Sequence, residues 1–318
     1  MRSRAHVPLK LWSCIVALVV LAAVATGCGD DASEAGSGEK TFKIGVVTPG
    51  AGIEFWRRLA EGAEQGDAKL DDVEVLLAEG ADSPNFERMI PEVESLMTRE
   101  VDALVVPGGP QLLPVLKRAQ AEDIPVVLTA TGLPEFPDAV TTVITDNLKG
   151  GEQAGEFIAE KLGGKGEIAI LDIARGTYPL LDLRADGVKK ALEGTDIKVV
   201  AQLDTNCETA KGVSASENIL TSHPNLSGFF GACGAAILGA EQALKGQPAL
   251  TVGYDALEPE VKAVLAGKQD ATVAQFPEEI GREGVEAARK ALLGQDVPKE
   301  ILTRTELVTK ENAKEFLP

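Results

Sequence analysis

From Thr41 onward, short apolar runs alternate with segments of helical period. Runs that read as buried strands occupy 43–47, 73–78, 103–106, 125–129 and 140–145. A second series occupies 167–171, 198–204, 228–232, 250–254 and 271–275, and a last apolar stretch runs through Leu307-Val308. Most are rich in Val, Ile, Leu or Ala, the composition of strands covered on both faces. The clearest helical period places Phe86, Met89, Ile90, Val93, Leu96 and Met97 on one face, after the start signal Ser83-Pro84. Further helices are expected at 149–162, 180–193, 208–222, 235–245 and 278–293. Alternating strands and helices imply parallel sheets with helices on both faces. Two successive series of about five βα units predict an α/β protein of two Rossmann-like lobes. In such sheets ligands bind beyond the carboxyl ends of the strands, so two lobes place a ligand in the cleft between them.

The stretch before this alternation is different. Residues 1–10 carry Arg2, Arg4 and Lys10 without an acid, an apolar run covers 11–25, and Ala25-Thr26-Gly27-Cys28 follows. A basic head, an apolar middle and small residues before a cut read as a secretory signal over 1–27. The run is shorter than the roughly 20 residues that a membrane span needs. Cys28, directly after Thr26-Gly27, resembles the acylated cysteine of a bacterial lipobox. An ordinary signal with a coincidental cysteine is the alternative. The polar stretch 30–40 has no apolar period, and 28–41 reads as a flexible, lipid-anchored tether. The chain is therefore expected outside the cytoplasm, in a periplasm or on the outer face of the cell membrane. Chemistry that depends on ATP or nicotinamide cofactors drops out there, and no cofactor is expected.

Composition narrows the choice further. At 318 residues, 44% hydrophobic and 25% charged, the chain has the make-up of a globular protein of about two domains. Its 31 basic and 49 acidic residues give a net charge of −18; without the three basic residues of the signal the balance is 28 to 49, or −21. Such a surface repels nucleic acid and anionic lipid, so lipid on Cys28 is the only membrane contact expected. With His6 removed, His223 is the remaining histidine, too little for a Ser-His-Asp triad or a His-rich metal site, and it reads as a helix-end residue. Cys14 leaves with the signal and Cys28 carries lipid, which leaves Cys207 and Cys233. An even remainder in an oxidising compartment is compatible with a disulfide.

No G-x-S-x-G elbow, phosphate-binding glycine loop or C-x-x-C pair is present. Candidate chemistry lies instead at strand ends. Val252-Gly253-Tyr254-Asp255 ends one strand with a carboxylate, and 272–277 ends the next with Gln275 before a strand-stopping Pro277. Asp and Gln can each engage adjacent hydroxyls through two atoms, which suits a polyhydroxylated ligand. Phe55-Trp56, after the loop 49–52, could stack on the C–H face of a sugar. Plainer readings stand beside these: Phe55 and Trp56 as core residues opening a helix, Asp255 as a cap, Gln275 as a surface amide.

The ordered set Ile44-Gly45-Val46-Val47, Phe55-Trp56 with Gly62, Thr145-Asp146-Asn147 with Gly150-Gly151, Arg184-Ala185-Asp186-Gly187, Leu238-Gly239-Ala240, Gly253-Tyr254-Asp255 and 271–277 with Ile280-Gly281 resembles periplasmic sugar-binding proteins of the ribose-binding type. These are type I periplasmic binding proteins, the solute-binding components of ABC importers, and the resemblance spans nearly all of 42–307. It implies two lobes joined by a three-stranded hinge near Asp146-Asn147, Gln275-Phe276 and 303–305. The first lobe would comprise 42–146 and 276–303, the second 147–275 and 304–318. It also implies a non-enzymatic, monomeric protein that captures a small carbohydrate-like ligand by lobe closure and docks on the permease subunits in the membrane.

Carried over residue by residue, Asp255 and Gln275 match sugar-binding positions, and Phe55 and Trp56 match the stacking aromatics. Arg184 and Asp182 are candidates for a ligand-binding position in 177–184, where Arg184 is either ligand or structural. The family's Asp-Arg pair falls on Ala130-Thr131, its Asn-Asp falls on Cys233-Gly234, and an aromatic position falls near Cys207. These exchanges remove sugar partners, so the resemblance points to a deoxy sugar, a polyol or cyclitol, or a less hydroxylated ligand rather than the usual pyranose. Both cysteines land near the cleft of the second lobe, where a disulfide would brace its wall. A sensor subunit for a membrane receptor, and an extracellular enzyme using Asp182 and Asp255, are the competing readings.

Overall fold

The computed structural model describes residues 41–80 and 86–317; the signal, Cys28, all of the tether except Thr41, and the Ser83-Pro84 start signal lie outside them. Apolar strands of four to nine residues build two sheets. The first contains β1 (Phe42–Thr48), β2 (Val73–Glu79), β3 (Ala103–Pro107), β4 (Val126–Thr129), β5 (Thr142–Thr145) and β11 (Glu300–Thr303). The second contains β6 (Lys165–Asp172), β7 (Asp196–Asp204), β8 (Gly228–Gly231), β9 (Leu250–Asp255), β10 (Ala271–Ala274) and β12 (Glu306–Thr309). Their spatial orders are β11-β5-β4-β3-β1-β2 and β12-β10-β9-β8-β6-β7. The chain therefore passes from one sheet to the other after β5, after β10, and between β11 and β12.

Two details depart from the sequence pattern. Alternation implies parallel pairing throughout, and every pair is parallel except β10 with β12, which is antiparallel. The cause is the last crossing: β11 runs toward the cleft, and Arg304-Thr305 carry the chain straight into the second sheet from the cleft side. No crossover helix lies between them, and a parallel partner requires one. The edge strand β11 itself carries no buried-strand signal, since Leu302 on it is 52% exposed.

Helices cover both sheets: α1 (Glu54–Asp67), α2 (Ile90–Thr98), α3 (Leu113–Ala121), α4 (Asn147–Leu162), α5 (Pro179–Ala191), α6 (Thr209–Ser222), α7 (Gly234–Leu244), α8 (Glu258–Leu265) and α9 (Pro277–Leu292). The apolar period beginning at Phe86 opens as a 3-10 turn, Phe86–Met89, and becomes α-helical only at Ile90. Pro91, with no N–H to donate, is tolerated in a first helical turn but not in an interior. Among the described residues no helix is long and apolar enough to cross a membrane.

One packing contact positions the site directly. Helices α4 and α5 cross so closely that a Cβ on Gly151 would fall 2.2 Å from the carbonyl oxygen of Arg184, and one on Gly187 would fall 2.3 Å from that of Leu148. The approach pins the backbone of Arg184 against the start of α4, which immediately follows the first crossing.

Candidate functional site

Arg184 is 4% exposed, and its surroundings supply partners along the edge of the guanidinium. Nε donates to Asn147 Oδ1 at 2.8 Å, and Nη1 donates to the Ala232 carbonyl at 2.8 Å and to Asp255 Oδ1 at 3.3 Å. Nη2 donates to Gln275 Oε1 at 3.2 Å, and the guanidinium carbon lies 4.1 Å from the centre of the Tyr254 ring, a cation–π stack. The partners come from the start of α4 and from the ends of β8, β9 and β10. A buried charge is tolerated when it is paired and hydrogen-bonded, and both conditions are met here.

Asp255 and Gln275 lock each other. Gln275 Nε2 donates to Asp255 Oδ1 at 2.6 Å, Gln275 Oε1 accepts from Thr145 Oγ1 at 2.6 Å, and Asp255 Oδ2 accepts the Gly234 N–H at 3.0 Å. That last bond sets the carboxylate on the amino end of α7, where the helix dipole favours an anion. Counting donors and acceptors leaves one lone-pair site on Asp255, one N–H on Arg184 Nη2 and one on Gln275 Nε2. One acceptor and two donors in adjacent positions can bind vicinal hydroxyls.

The backbone at the strand ends is unusual. Ala130 after β4, Ala174 after β6, Asn206 and Cys207 after β7, and Asp255 with Ala256 at the end of β9 all have φ between 38° and 109°. Non-glycine residues with positive φ are strained, and such positions cluster at binding sites. The cleft side of both sheets carries this signature.

Cys207 and Cys233 are joined by a disulfide, with Cα atoms 5.9 Å apart across a separation of 26 residues. Cys233 is the residue before α7 and is 1% exposed, so the bridge ties the β7–α6 loop to the same helix end that holds Asp255. Asp182 lies apart from this network. Its Oδ2 accepts the Gly176 N–H at 3.0 Å, and burial raises its carboxyl, opposed by that N–H and by Arg175. Asp182 and Asp255 are thus not joined as a carboxylate pair.

On the first lobe, Phe55 and Trp56 open α1, both half-buried, with ring centres 5.0 Å apart and edge-to-face. Phe86 continues the series 6.1 Å from Trp56, and Tyr178, from the second lobe, lies 6.3 Å from Phe86. The strand end opposite the polar network carries Ala130, Thr131, whose hydroxyl is bonded to the Gly108 carbonyl, and Gly132, which faces Leu180. One wall is therefore polar and the other largely apolar.

The sequence-predicted Asp255, Gln275 and Arg184 come together in this network, and Asn147, Thr145 and Tyr254, which join them there, were missed. The motif Thr145-Asp146-Asn147, at the end of β5, was the available signal for the first two. Glu260 was missed as well. Its carboxyl is 1% exposed beside Gly234 and Gly253, accepting from Thr272 Oγ1 at 2.7 Å and Gln269 Nε2 at 3.2 Å. Burial, and then the neighbouring charge of Asp255, push Glu260 well above the usual carboxylate range. Burial also raises Asp255, opposed by Arg184, the Gly234 N–H and Gln275. Asp255 thus has a cation, Arg184, beside it at 3.3 Å, and Glu260 is bonded to a hydroxyl and an amide.

A raised folded-state pKa means that stabilisation from Glu260 is complete below the unfolded carboxylate value and is lost as pH rises through the folded value. Unfolding free energy should consequently fall from about pH 4.5 upward, with Glu241, raised to about 7 by burial, contributing alongside Glu260. Denaturant titrations across pH should show Glu260→Gln flattening this fall; an unchanged slope contradicts the assignment. Reducing the disulfide, or replacing both cysteines with serine, should cost about 3 kcal/mol for a loop of this length. Equal denaturation midpoints for oxidised and reduced protein would show that the bridge carries no stability.

Comparison with known proteins agrees with this geometry. The family model described as periplasmic binding protein domain matches residues 44–296. The chain is 30% identical to the ribose import binding protein of Haemophilus influenzae over 275 residues, covering 85% of this chain and 91% of that one. It is 29% identical to the xylitol-binding protein of Mycolicibacterium smegmatis over 305 residues, covering 92% and 83%. An ABC transporter solute-binding protein from Agrobacterium vitis, crystallised with alpha-D-tagatopyranose, superposes with a TM-score of 0.79 at 25% identity, covering 86% and 97%. Two α/β lobes with three crossings, a polar network at the strand ends and a match over most of the chain lead to one conclusion: the chain belongs to the periplasmic binding protein family, with the type I architecture of its sugar-binding members.

Proposed function

We propose that this protein captures a small polyhydroxylated ligand between its lobes, outside the cytoplasm, and delivers it to an ABC import permease. The observation that carries the reading is the Arg184–Asp255–Gln275 network, a preorganised set of one acceptor and two donors on one cleft wall. Preorganisation matters because the groups are already ordered and desolvated before a hydroxyl arrives. The relatives named above take ribose, xylitol and tagatopyranose, all dense in vicinal hydroxyls.

The apolar first-lobe wall sets the class more narrowly. Ala130 and Gly132 offer no side-chain partner, and a sugar hydroxyl left unpaired in a closed cleft costs about 1–3 kcal/mol. A deoxy sugar, polyol or cyclitol, its C–H face on Phe55 and Trp56 and its hydroxyls on the second lobe, meets both walls. The protein acts as a monomer without cofactor or catalytic step. Its signal directs export, and lipid on Cys28 keeps it beside its permease through the tether 28–41.

A thermal-shift screen of the full chain against D-ribose, xylitol, D-tagatose and a 6-deoxyhexose tests the ligand class. A ligand at 100 times its Kd should stabilise the fold by about 2.7 kcal/mol. Calorimetry on the best ligand should show Asp255→Ala weakening affinity by about 1.5–3 kcal/mol. No shift with any sugar or polyol, or an Asp255→Ala protein of unchanged affinity, contradicts the reading.

A further inference from the structure

The lobes touch across the cleft through groups that belong to neither the polar network nor the crossings. Glu54, the first residue of α1, accepts the Glu258 N–H of the second lobe at 3.1 Å. Tyr178, between β6 and α5, packs against the hydrophobic cluster of the first lobe, which contains Phe86 and Leu112. Its ring meets Phe86 edge-on, with ring centres 6.3 Å apart. Two residues on, Leu180 Cδ1 fills the space over Gly132, where a Cβ would fall at 2.4 Å.

We propose that Tyr178 is the clasp of this binding protein: a second-lobe side chain that seats in the first lobe's hydrophobic cluster and holds the lobes closed, with Leu180 on Gly132 beside it. The inference rests on the reading that the cleft holds the ligand, and adds a residue that sets how long the ligand stays. Three features carry it. Tyr178 joins the hydrophobic cluster of a lobe to which its own strand does not belong. It completes the edge-to-face series Phe55–Trp56–Phe86, so closure extends an existing aromatic contact rather than burying an isolated ring. Two residues on, Leu180 fills the space over Gly132 of the first lobe, so the contact is more than a single ring.

A side chain that acts only after the lobes meet changes the dissociation rate and leaves encounter untouched. Tyr178 is thus a positioning residue for closure, distinct in its kinetics from Asp255 and Gln275.

The test uses the full chain in detergent, with spin labels on introduced cysteines at the exposed positions Gln120 of α3 and Asn218 of α6. Without ligand, the wild type should populate a short inter-lobe distance that Tyr178→Ala depletes and Tyr178→Phe largely retains. Gly132→Val, which alters no residue of the polar network, should deplete it in the same way by displacing Leu180. With xylitol or D-ribose as probe, stopped-flow measurements should show Tyr178→Ala speeding dissociation by about tenfold or more while association stays within about threefold. Ligand-free distance distributions that are the same in wild type, Tyr178→Ala and Gly132→Val overturn the proposal, whether or not either probe binds. Loss of affinity wholly through slower association also overturns it. Failure of both probes to bind the wild type counts against the sugar reading, while the distance distributions still decide the clasp.

Discussion

A guanidinium taken out of water must be neutralised and hydrogen-bonded, and in this protein that requirement organises the second lobe. Arg184 draws an amide from the start of α4, a carbonyl from the end of β8, a carboxylate from β9 and an amide from the end of β10. Removing one partner would leave a buried charge incompletely compensated, which is far costlier than losing a surface ion pair. The strand ends are consequently held in one arrangement. Glycine contacts between α4 and α5, positive φ at Asp255 and the disulfide at the head of α7 all support that arrangement. Binding capacity follows from it: the donors and acceptor not used internally are the ones a ligand can use.

The two walls of the cleft divide the work. The second lobe carries the directional polar groups, Arg184, Asp255 and Gln275. The first carries Phe55, Trp56 and the strand end 130–132, where Ala130 and Gly132 have no polar side chain. Between them, Thr145 and Gln275 bond at 2.6 Å beside two of the chain crossings, so the polar network begins at the hinge itself. The polar network and the chain crossings therefore share residues.

The architecture was legible because buried parallel strands and amphipathic helices leave different periodicities, and these alternate along 42–307. Asp255 and Gln275 were legible as polar residues ending apolar runs at the carboxyl ends of the adjacent strands β9 and β10. The direction of β12 was not, since it depends on a two-residue crossing rather than on any pattern within the strand. Pro91 shortened α2 through a single missing N–H that the apolar period does not register. Glu260 is a first-turn acid of α8, and it is buried where Gly234, at the start of α7, and Gly253, on β9, leave room for its carboxyl. Tyr178 reads as a loop residue, and its partners lie in the other lobe. For Glu260 and Tyr178 the missing information is a contact between separate elements, which local periodicity does not encode.

A double-mutant cycle between Arg184 and Asp255 addresses the dependence of the second lobe on its buried charge most directly. Unfolding free energies would be measured for Arg184→Met, Asp255→Asn and the double variant. Each single change should cost about 3–5 kcal/mol, because it strands the opposite charge, and the double variant should cost well under their sum. Additive losses, or single variants as stable as the wild type, would contradict the account.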